Sequence, residues 1–284
     1  MAVIKTENLT YIYGEGTPFR KVAVDDVNLQ IDEGEMVGVI GHTGSGKSTL
    51  IQHFNGLLKP SAGSVYIDGE KLWEDKARLR EIRFKVGLVF QYPEYQLFEE
   101  TCYKDIAFGP KNMGLDEAET DRRIRETAQM VGLKSELLDK SPFELSGGQK
   151  RRVAIAGVMA MKPKVLILDE PASGLDPKGR EQILSLLKEY HQATKSTVMI
   201  VSHSMEDVAR YADRILVMNK SKLFCLDTTE KVFHRSEELS SMGLSVPQIT
   251  RVFNRLKIMG VIPERDVYTT PYALKLVLGE LGKE

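Results

Sequence analysis

The stretch Gly41–Thr49, which reads Gly-His-Thr-Gly-Ser-Gly-Lys-Ser-Thr, decides the fold of this 284-residue chain. It fits the pattern G-x-x-x-x-G-K-[ST] of a phosphate-binding loop. The apolar segment Met36–Ile40 precedes it as a predicted strand, and a helix is expected from Lys47 to about Asn55. Because glycines let the backbone wrap around phosphates and a helix N-terminus attracts anions, the stretch predicts a bound nucleoside triphosphate. The residues expected to hold it are Gly41, Thr43, Gly44, Ser45, Gly46, Lys47, Ser48 and Thr49.

Within this loop, Lys47 is expected to reach the β- and γ-phosphates, and Ser48 to offer its hydroxyl to Mg²⁺. Two carboxylates follow a second apolar strand, Val165–Leu168. Parallel sheets place ligands at the carboxyl ends of their strands. Asp169 therefore suits a Mg²⁺ contact through water, and Glu170 suits the role of general base toward an attacking water.

The pentapeptide Leu145–Gln149, which reads Leu-Ser-Gly-Gly-Gln, predicts a second anion-binding helix terminus. Ser146 is expected to cap a helix that runs to Ala160. Its hydroxyl and the amides of Gly147 and Gly148 would face an anion. Because the phosphate loop already holds the chain's own nucleotide, this second terminus is best explained if it faces the γ-phosphate on another molecule.

The remaining pattern predicts an α/β fold with a mainly parallel sheet wrapped by helices. The opening 1–31 is rich in β-structure, and residues 101–132 read as helical. We expect an ATPase domain over residues 1–222, with a helical subdomain at about 92–160. After about Lys222, several helix-start signals indicate short helices. They predict a small, mainly helical C-terminal domain over 223–284.

Composition excludes several function classes. The 39 basic and 40 acidic residues nearly cancel, which argues against a nucleic-acid binder driven by net charge. No apolar run approaches the roughly 20 residues of a membrane helix, and the start lacks a signal peptide. Cys102 and Cys225 form no metal or redox motif. We expect a soluble chain whose membrane role comes through a partner.

Over about its first 225 residues the chain resembles the ATP-binding-cassette (ABC) ATPases, with every family motif in order. In that family the pentapeptide caps a nucleotide held by a second subunit. The resemblance implies that Gln91 is the Q-loop glutamine, which contacts Mg²⁺ and the water, and that His203 is the switch histidine at the γ-phosphate. It implies that Asp176, in the D-loop Ser173–Asp176, communicates across the dimer, and that Gln149 completes the pentapeptide.

The resemblance also implies an aromatic residue that stacks on adenine. Tyr13 matches this position, and Tyr11 remains the alternative.

A finer resemblance connects the chain to the ATPases of energy-coupling-factor (ECF) transporters. It lies in Tyr92–Thr101, Asp105–Pro110, Ser141–Gln149 and the segment around Leu244–Gln248. The first of these runs most resembles the second of the two ATPases that these prokaryotic vitamin and metal-ion importers usually carry. The resemblance implies ATP hydrolysis with Mg²⁺ at the cytoplasmic face of the cell membrane.

The implied partners are a second, related ATPase, a transmembrane coupling subunit and a substrate-binding membrane subunit. We hypothesise that Gln91–Thr101 receives a coupling helix of the membrane subunit, and that the C-terminal domain contacts the other ATPase. The transported substrate and the choice between a homodimer and a heterodimer stay open.

The alternative is a soluble ABC ATPase that acts on nucleic acid or ribosomes. Repair and chromosome relatives would carry a long coiled coil between loop and pentapeptide, and here about a hundred residues without sustained heptads separate them. Translation-factor relatives would carry two cassettes, and this chain has one.

Overall fold

The structure, a computed structural model, describes residues 1–261 and 267–280. The strands in this part of the chain are β1 Ala2–Tyr13, β2 Lys21–Asp32, β3 Met36–Ile40, β4 Ala62–Ile67, β5 Glu70–Lys71, β6 Val86–Val89, β7 Val165–Asp169, β8 Thr197–Val201, β9 Arg214–Asn219 and β10 Lys222–Thr228. The α-helices are α1 Lys47–Phe54, α2 Leu79–Lys85, α3 Cys102–Asn112, α4 Glu117–Met130, α5 Gly147–Met159, α6 Pro177–Thr194, α7 Met205–Tyr211, α8 Thr229–His234, α9 Ser236–Ser241, α10 Gln248–Ile258 and α11 Thr270–Glu280.

The main sheet has the strand order β10-β9-β3-β8-β7-β6, and all its pairs are parallel except β10 with β9. Every residue of β3, β7 and β8 is buried, as expected for parallel strands covered on both faces. Because parallel strands end at the same edge, the segments after β3, β6, β7 and β8 converge there. The predicted α/β fold with a mainly parallel sheet is confirmed.

A second, antiparallel sheet with the order β2-β1-β4-β5 packs beside the main one. It shares a hydrophobic core with α1 and with strands of the main sheet. Leu50 and Phe54 of α1 are completely buried in that core, next to Val24 and Ile31 of β2. The antiparallel sheet therefore supports the helix that follows the phosphate loop.

The helices α3, α4 and α5 contact one another and form a largely separate core with the other face of the main sheet. The predicted helical run 101–132 is thus α3 and α4. The helix predicted to follow Ser146 is α5, whose apolar residues Val153, Ile155 and Met159 are buried. This bundle carries the pentapeptide at the N-terminus of α5.

The predicted boundary between residues 222 and 223 falls at the start of β10. The strand β10 pairs antiparallel with β9, so a cut after Lys222 would divide the main sheet. Its residues are mostly half-buried, and this edge strand shows no clear alternation that could have marked it in the sequence. The helices α8 and α9 pack Val232, Phe233 and Leu239 onto the same sheet.

Beyond α9, the residues Phe253, Val267 and Ala273 form a small core of their own between α10 and α11. In the described part of the chain, none of the helices is both long and apolar enough to cross a bilayer.

Candidate nucleotide-binding and hydrolysis site

The phosphate loop turns sharply between β3 and α1 at two positions that only glycine can occupy. Gly41 and Gly46 have φ angles of 153° and 102°, in the region that favours glycine. A Cβ atom would collide with the carbonyl oxygen of Met218 at the first position and with that of Ala23 at the second. These close approaches hold the loop so that its amides lead into the N-terminus of α1.

Lys47 folds back into this loop. Its Nζ donates to the carbonyl oxygens of Gly41 at 2.6 Å and His42 at 3.1 Å, and the residue is only 6% exposed. Burial lowers the pKa of Lys47, while the charges of Glu170 and Asp169 raise it to a smaller extent. The ammonium group therefore already lies close to the acidic pair, in a cradle lined by backbone oxygens.

Asp169 ends β7 and is buried. Burial raises its pKa, whereas a hydrogen bond from Ser48 and the charges of Lys47 and His203 lower it. The predicted oxygen donors Ser48 and Asp169 thus lie together, as a Mg²⁺ site with phosphate ligands requires.

Glu170 lies at the centre of a polar network that joins three strand ends. Its Oε1 is 2.6 Å from Nε2 of His203, and its Oε2 accepts a hydrogen bond from Nε2 of Gln91 at 3.1 Å. Its backbone N–H donates to the carbonyl oxygen of Val201 at 3.0 Å, and its φ of 50° is unusual for a residue with a side chain. The three residues predicted as catalytic therefore form one cluster.

The pentapeptide caps α5 as predicted. Ser146 Oγ accepts from the backbone N–H of Gln149 at 3.4 Å, and Gln149 Oε1 accepts from the N–H of Ser146 at 3.0 Å, which forms a capping box. Ser146, Gly147 and Gly148 are exposed, and a Cβ at either glycine would meet no atom within 4 Å. Helix α5 itself packs on α3 and α4. Its N-terminus is an open surface, because these three residues are exposed.

Similarity to known proteins shows the family of this chain. A family model described as ABC transporter matches residues 24–173, more than half of the chain. The energy-coupling factor transporter ATP-binding protein EcfA2 of Caldanaerobacter subterraneus subsp. tengcongensis is 58% identical over 275 residues, which cover 97% of this chain and 96% of the relative. This chain belongs to the energy-coupling factor ATP-binding proteins of the ABC transporter family.

Two solved structures are similar in fold to this ABC ATPase. The structure of cbiO1 from Clostridium perfringens, part of the ABC transporter complex cbiONQ, has a TM-score of 0.75 and 38% identity, and the match covers 89% of this chain and 99% of cbiO1. The ATP-binding cassette MJ0796, solved as a dimer in a post-hydrolysis state with ADP and Pi, has a TM-score of 0.71 and 32% identity. That match covers 80% of this chain and 98% of MJ0796.

Three further predicted residues of this ABC ATPase lie on its surface or close to it. Tyr13 is 41% exposed, and its hydroxyl is 3.3 Å from Oγ1 of Thr49 in the phosphate loop. Tyr11 is half-buried and packs edge-on against His53, with the ring centroids 4.9 Å apart. Asp176 is exposed and caps α6, because its Oδ1 accepts from the N–H of Gly179 at 2.9 Å.

Sequence reasoning missed one buried ion pair. Arg151, in the first half of α5, donates through Nε and Nη2 to the two carboxylate oxygens of Glu94 at 2.9 and 2.6 Å. Their side chains are only 4% and 15% exposed. Lys150, Arg151 and Arg152 follow one another at the start of α5, and no sequence signal shows that only Arg151 is buried. The buried guanidinium needs a partner, which Glu94 supplies.

Proposed function

We propose that this chain is one of the two ATPase subunits of an energy-coupling factor importer, and that ATP hydrolysis at Glu170 powers the uptake of a vitamin or a transition-metal ion. The observation that carries this proposal is the combination of a complete hydrolytic cluster with an open pentapeptide. The cluster supplies the groups for hydrolysis of a bound ATP. The pentapeptide supplies a helix terminus that this chain does not use on its own nucleotide.

In the proposed reaction, the loop amides and Lys47 bind the β- and γ-phosphates. Glu170 accepts a proton from the attacking water as the new bond to the γ-phosphorus forms and the bond to the β–γ bridging oxygen breaks. ADP and phosphate then leave. His203 is positioned to donate to a γ-phosphate oxygen, which requires that its contact with Glu170 opens when ATP binds.

The oxygen donors at the loop fit Mg²⁺. Ser48 offers a hydroxyl, Asp169 a carboxylate and Gln91 an amide oxygen, and Mg²⁺ prefers oxygen ligands with few protein carboxylates and several waters. Among the described residues, no group of three or more His, Cys, Asp and Glu side chains could hold a metal ion. When bound, Mg²⁺ would neutralise charge on the phosphates.

For the adenine ring, Tyr13 is the better of the two candidates. Its ring is exposed beside Thr49, whereas the half-buried Tyr11 packs against His53. An aromatic face must be free for a base to stack on it. We therefore assign the stacking role to Tyr13.

The open pentapeptide is proposed to complete the site of the second ATPase. Gly147 and Gly148 face open space, so the terminus of α5 can approach a γ-phosphate without rearrangement. Asp176 lies on the exposed N-terminus of α6 and is proposed to contact the same partner. Each nucleotide would then lie between the phosphate loop of one chain and the pentapeptide of the other.

The segment Gln91–Thr101 is proposed to receive a coupling helix of the transmembrane subunit, at the cytoplasmic face of the membrane. Tyr95 is 85% exposed and Phe98 is 60% exposed, so both side chains can be covered by a partner. Glu94, which the sequence suggested for the same surface, points inward to Arg151 instead. The docking surface is therefore aromatic.

Replacing Tyr95 and Phe98 by alanine tests this surface. We expect the double variant to lose co-purification with the membrane subunit, while Phe19→Ala, at a site that is 87% exposed on the antiparallel sheet side, keeps it. Retention of the complex by the double variant would rule out this docking surface.

The C-terminal helices are proposed to contact the second ATPase. Val252 and Ile258 of α10 and Leu274 of α11 are 51%, 84% and 57% exposed, an amount of open apolar surface that favours a protein partner. Truncation after Lys222 would remove β10 from the sheet, so Val252→Asp with Leu274→Asp is the cleaner test. We expect a weaker ATPase–ATPase complex by sedimentation, whereas Leu57→Asp should leave it intact.

One experiment tests the function as a whole. The chain is co-expressed with its second ATPase and membrane subunits, reconstituted in lipid vesicles and assayed for ATP-dependent uptake. Uptake that stops with Glu170→Gln but continues with Glu189→Gln, an exposed site on α6, supports the proposal. A chain that hydrolyses ATP but forms no complex with membrane subunits would contradict it.

A further inference from the structure

Arg151 joins three segments of the molecule that are far apart in sequence. Besides the two bonds to Glu94, its Nη1 donates to the carbonyl oxygens of Pro171 at 3.3 Å and Ser173 at 2.7 Å. Glu94 lies in the proposed docking segment Gln91–Thr101. The two carbonyls lie directly after Glu170, in the turn that leads to Asp176. Arg151 itself stands two residues after the pentapeptide.

The other end of the docking segment is also fixed, by hydrogen bonds to α3. Asp105 of α3 accepts the backbone N–H groups of Phe98 at 3.3 Å and Glu99 at 3.2 Å. Helices α3 and α5 pack on each other, so the segment between Glu94 and Glu99 is anchored at both ends on one bundle. Tyr95 lies between these anchors and points outward.

The geometry of Arg151 makes it a rigid connection. A guanidinium that binds a carboxylate through two parallel bonds fixes the direction as well as the distance of its partner. Because this pair is almost fully buried, separating it would leave a charge without a partner, which is strongly unfavourable. A displacement of Glu94 by a docked partner must therefore move α5 and the turn after Glu170 with it.

We infer that Arg151 is a positioning residue that transmits the docking of the membrane subunit at Gln91–Thr101 to the pentapeptide and to the turn between Glu170 and Asp176. It touches neither ATP nor the reacting water. Arg151 sets how strongly docking accelerates hydrolysis, because it fixes the position and direction of the groups that contact ATP and the water. This inference rests on the proposed function, since it needs a membrane subunit that docks on this segment.

Two substitutions test the connection with little change in volume. Arg151→Lys keeps the charge but loses the planar fork, and Glu94→Gln keeps the shape but loses the charge. Arg152→Lys is the matched control. Arg152 is the next residue on α5, and it bonds the Val131 carbonyl oxygen and Oε1 of Gln182 rather than the docking segment.

The measurement is the ratio of the ATPase rate of the reconstituted full complex to that of the ATPase pair alone, with the KM for ATP determined in both. Both rates are divided by the concentration of folded, ATP-binding chain, so a loss of folded protein leaves this ratio unchanged. We expect Arg151→Lys and Glu94→Gln to reduce the ratio by about tenfold, within the range of measured couplings between sites, at an unchanged KM. Arg152→Lys should keep the wild-type ratio.

The outcomes separate the two proposals. No stimulation of the wild-type pair by the membrane subunits would overturn the proposed function and this inference with it. A stimulated wild type whose ratio survives in Arg151→Lys and Glu94→Gln, or falls equally in Arg152→Lys, would overturn the inference alone. If Arg151→Lys does not fold, Glu94→Gln carries the test. The double variant should be no worse than Arg151→Lys, and additive losses would contradict a single connection.

Discussion

The phosphate loop and the pentapeptide both present a helix N-terminus, yet they differ in how much of each site the chain supplies. At the loop, Lys47 is held by backbone oxygens and Glu170 is held by both Gln91 and His203. At the pentapeptide, Ser146 and Gln149 satisfy each other in a capping box, while the two glycines face open space. The first region is a crowded cluster of polar side chains, and the second is an exposed helix terminus whose cap is satisfied within the chain.

This difference explains why one chain needs another. A cap that is satisfied internally is stable without a ligand, so α5 can present its amides to whatever approaches. The loop region, in contrast, must rearrange, because Nε2 of His203, which is to reach a γ-phosphate, lies 2.6 Å from Oε1 of Glu170. Of the four predictions below, the first two concern the rate of hydrolysis and the last two concern stability, each pair in order of decreasing effect.

The largest effect is expected at Glu170, the proposed general base. Glu170→Gln should lower the rate of hydrolysis by about 10²–10⁴-fold, the usual contribution of a general base, and leave ATP binding intact. Single-turnover phosphate release, together with equilibrium binding of ATP, measures the two separately. Glu189→Gln is the control, and a variant at Glu170 with unchanged turnover would remove that residue from the mechanism.

The next effect is expected at the open glycines. Gly148→Asp should reduce hydrolysis by the ATPase pair by about 10²-fold, the scale for loss of one transition-state donor, because its carboxylate would repel the partner's γ-phosphate. The fold should be unaffected, since an acid in the first turn of a helix is favourable. Ala118→Asp introduces the same charge at the equivalent exposed position of α4.

For Gly148→Asp, the thermal midpoint and the ATPase rate should therefore separate. If the rate falls only in proportion to a loss of folded protein, the terminus of α5 does not face a nucleotide.

The third prediction contrasts two glycine-to-alanine variants in stability. Gly46→Ala combines a left-handed backbone with a collision against the Ala23 carbonyl, and should lower the free energy of unfolding by about 2–6 kcal/mol from strain and overpacking. In Gly148→Ala the new Cβ has no atom within 4 Å. The free energy of unfolding should change by no more than about 0.5–1 kcal/mol, with helix propensity favouring the alanine. Urea titration measures both, and equal losses would contradict the contrast.

The smallest effect is a pH dependence confined to the loop region. His53 of α1 is buried, its Nδ1 is 2.7 Å from the Thr49 carbonyl oxygen, and burial lowers its pKa to about 4 from 6.5. The unfolded chain therefore binds a proton below pH 6.5 that the folded chain refuses until about pH 4. This histidine should cost a few kcal/mol of stability as the pH falls through that window, and nothing above it.

His53→Gln removes this titration. The fall in unfolding free energy between pH 7 and pH 4.5 should be smaller in the variant than in the wild type. Hydrogen exchange should locate the acid-induced opening in α1 rather than in α5. A parallel loss in both proteins would contradict the role of His53.

Local chemistry made much of this molecule predictable. The strands Met36–Ile40 and Thr197–Val201 coincide with β3 and β8, because short apolar runs bounded by turn residues carry the signal of buried parallel strands. The cap at Ser146 was predictable as well, since a serine with glutamine three residues later is the sequence signature of a capping box.

Contacts between distant segments were not predictable. Arg151 and Glu94 are 57 residues apart, and no local sequence pattern indicates that they are in contact. The network of Gln91, Glu170 and His203 depends on the order of strands in the sheet, which was not predicted. Gln91 and His203 were named only because of the resemblance to the family. The extent of β10 was missed because an edge strand that is half-buried lacks a regular alternation.

The central claim is that neither nucleotide site is complete within one chain, and the most direct test is the specific ATPase activity as a function of protein concentration. The chain is assayed alone and with its second ATPase while the mass in solution is measured in parallel. We expect the rate per chain to rise with the fraction of dimer and to vanish as the protein dissociates to monomers. A rate per chain that stays constant down to concentrations at which only monomers are present would contradict the claim.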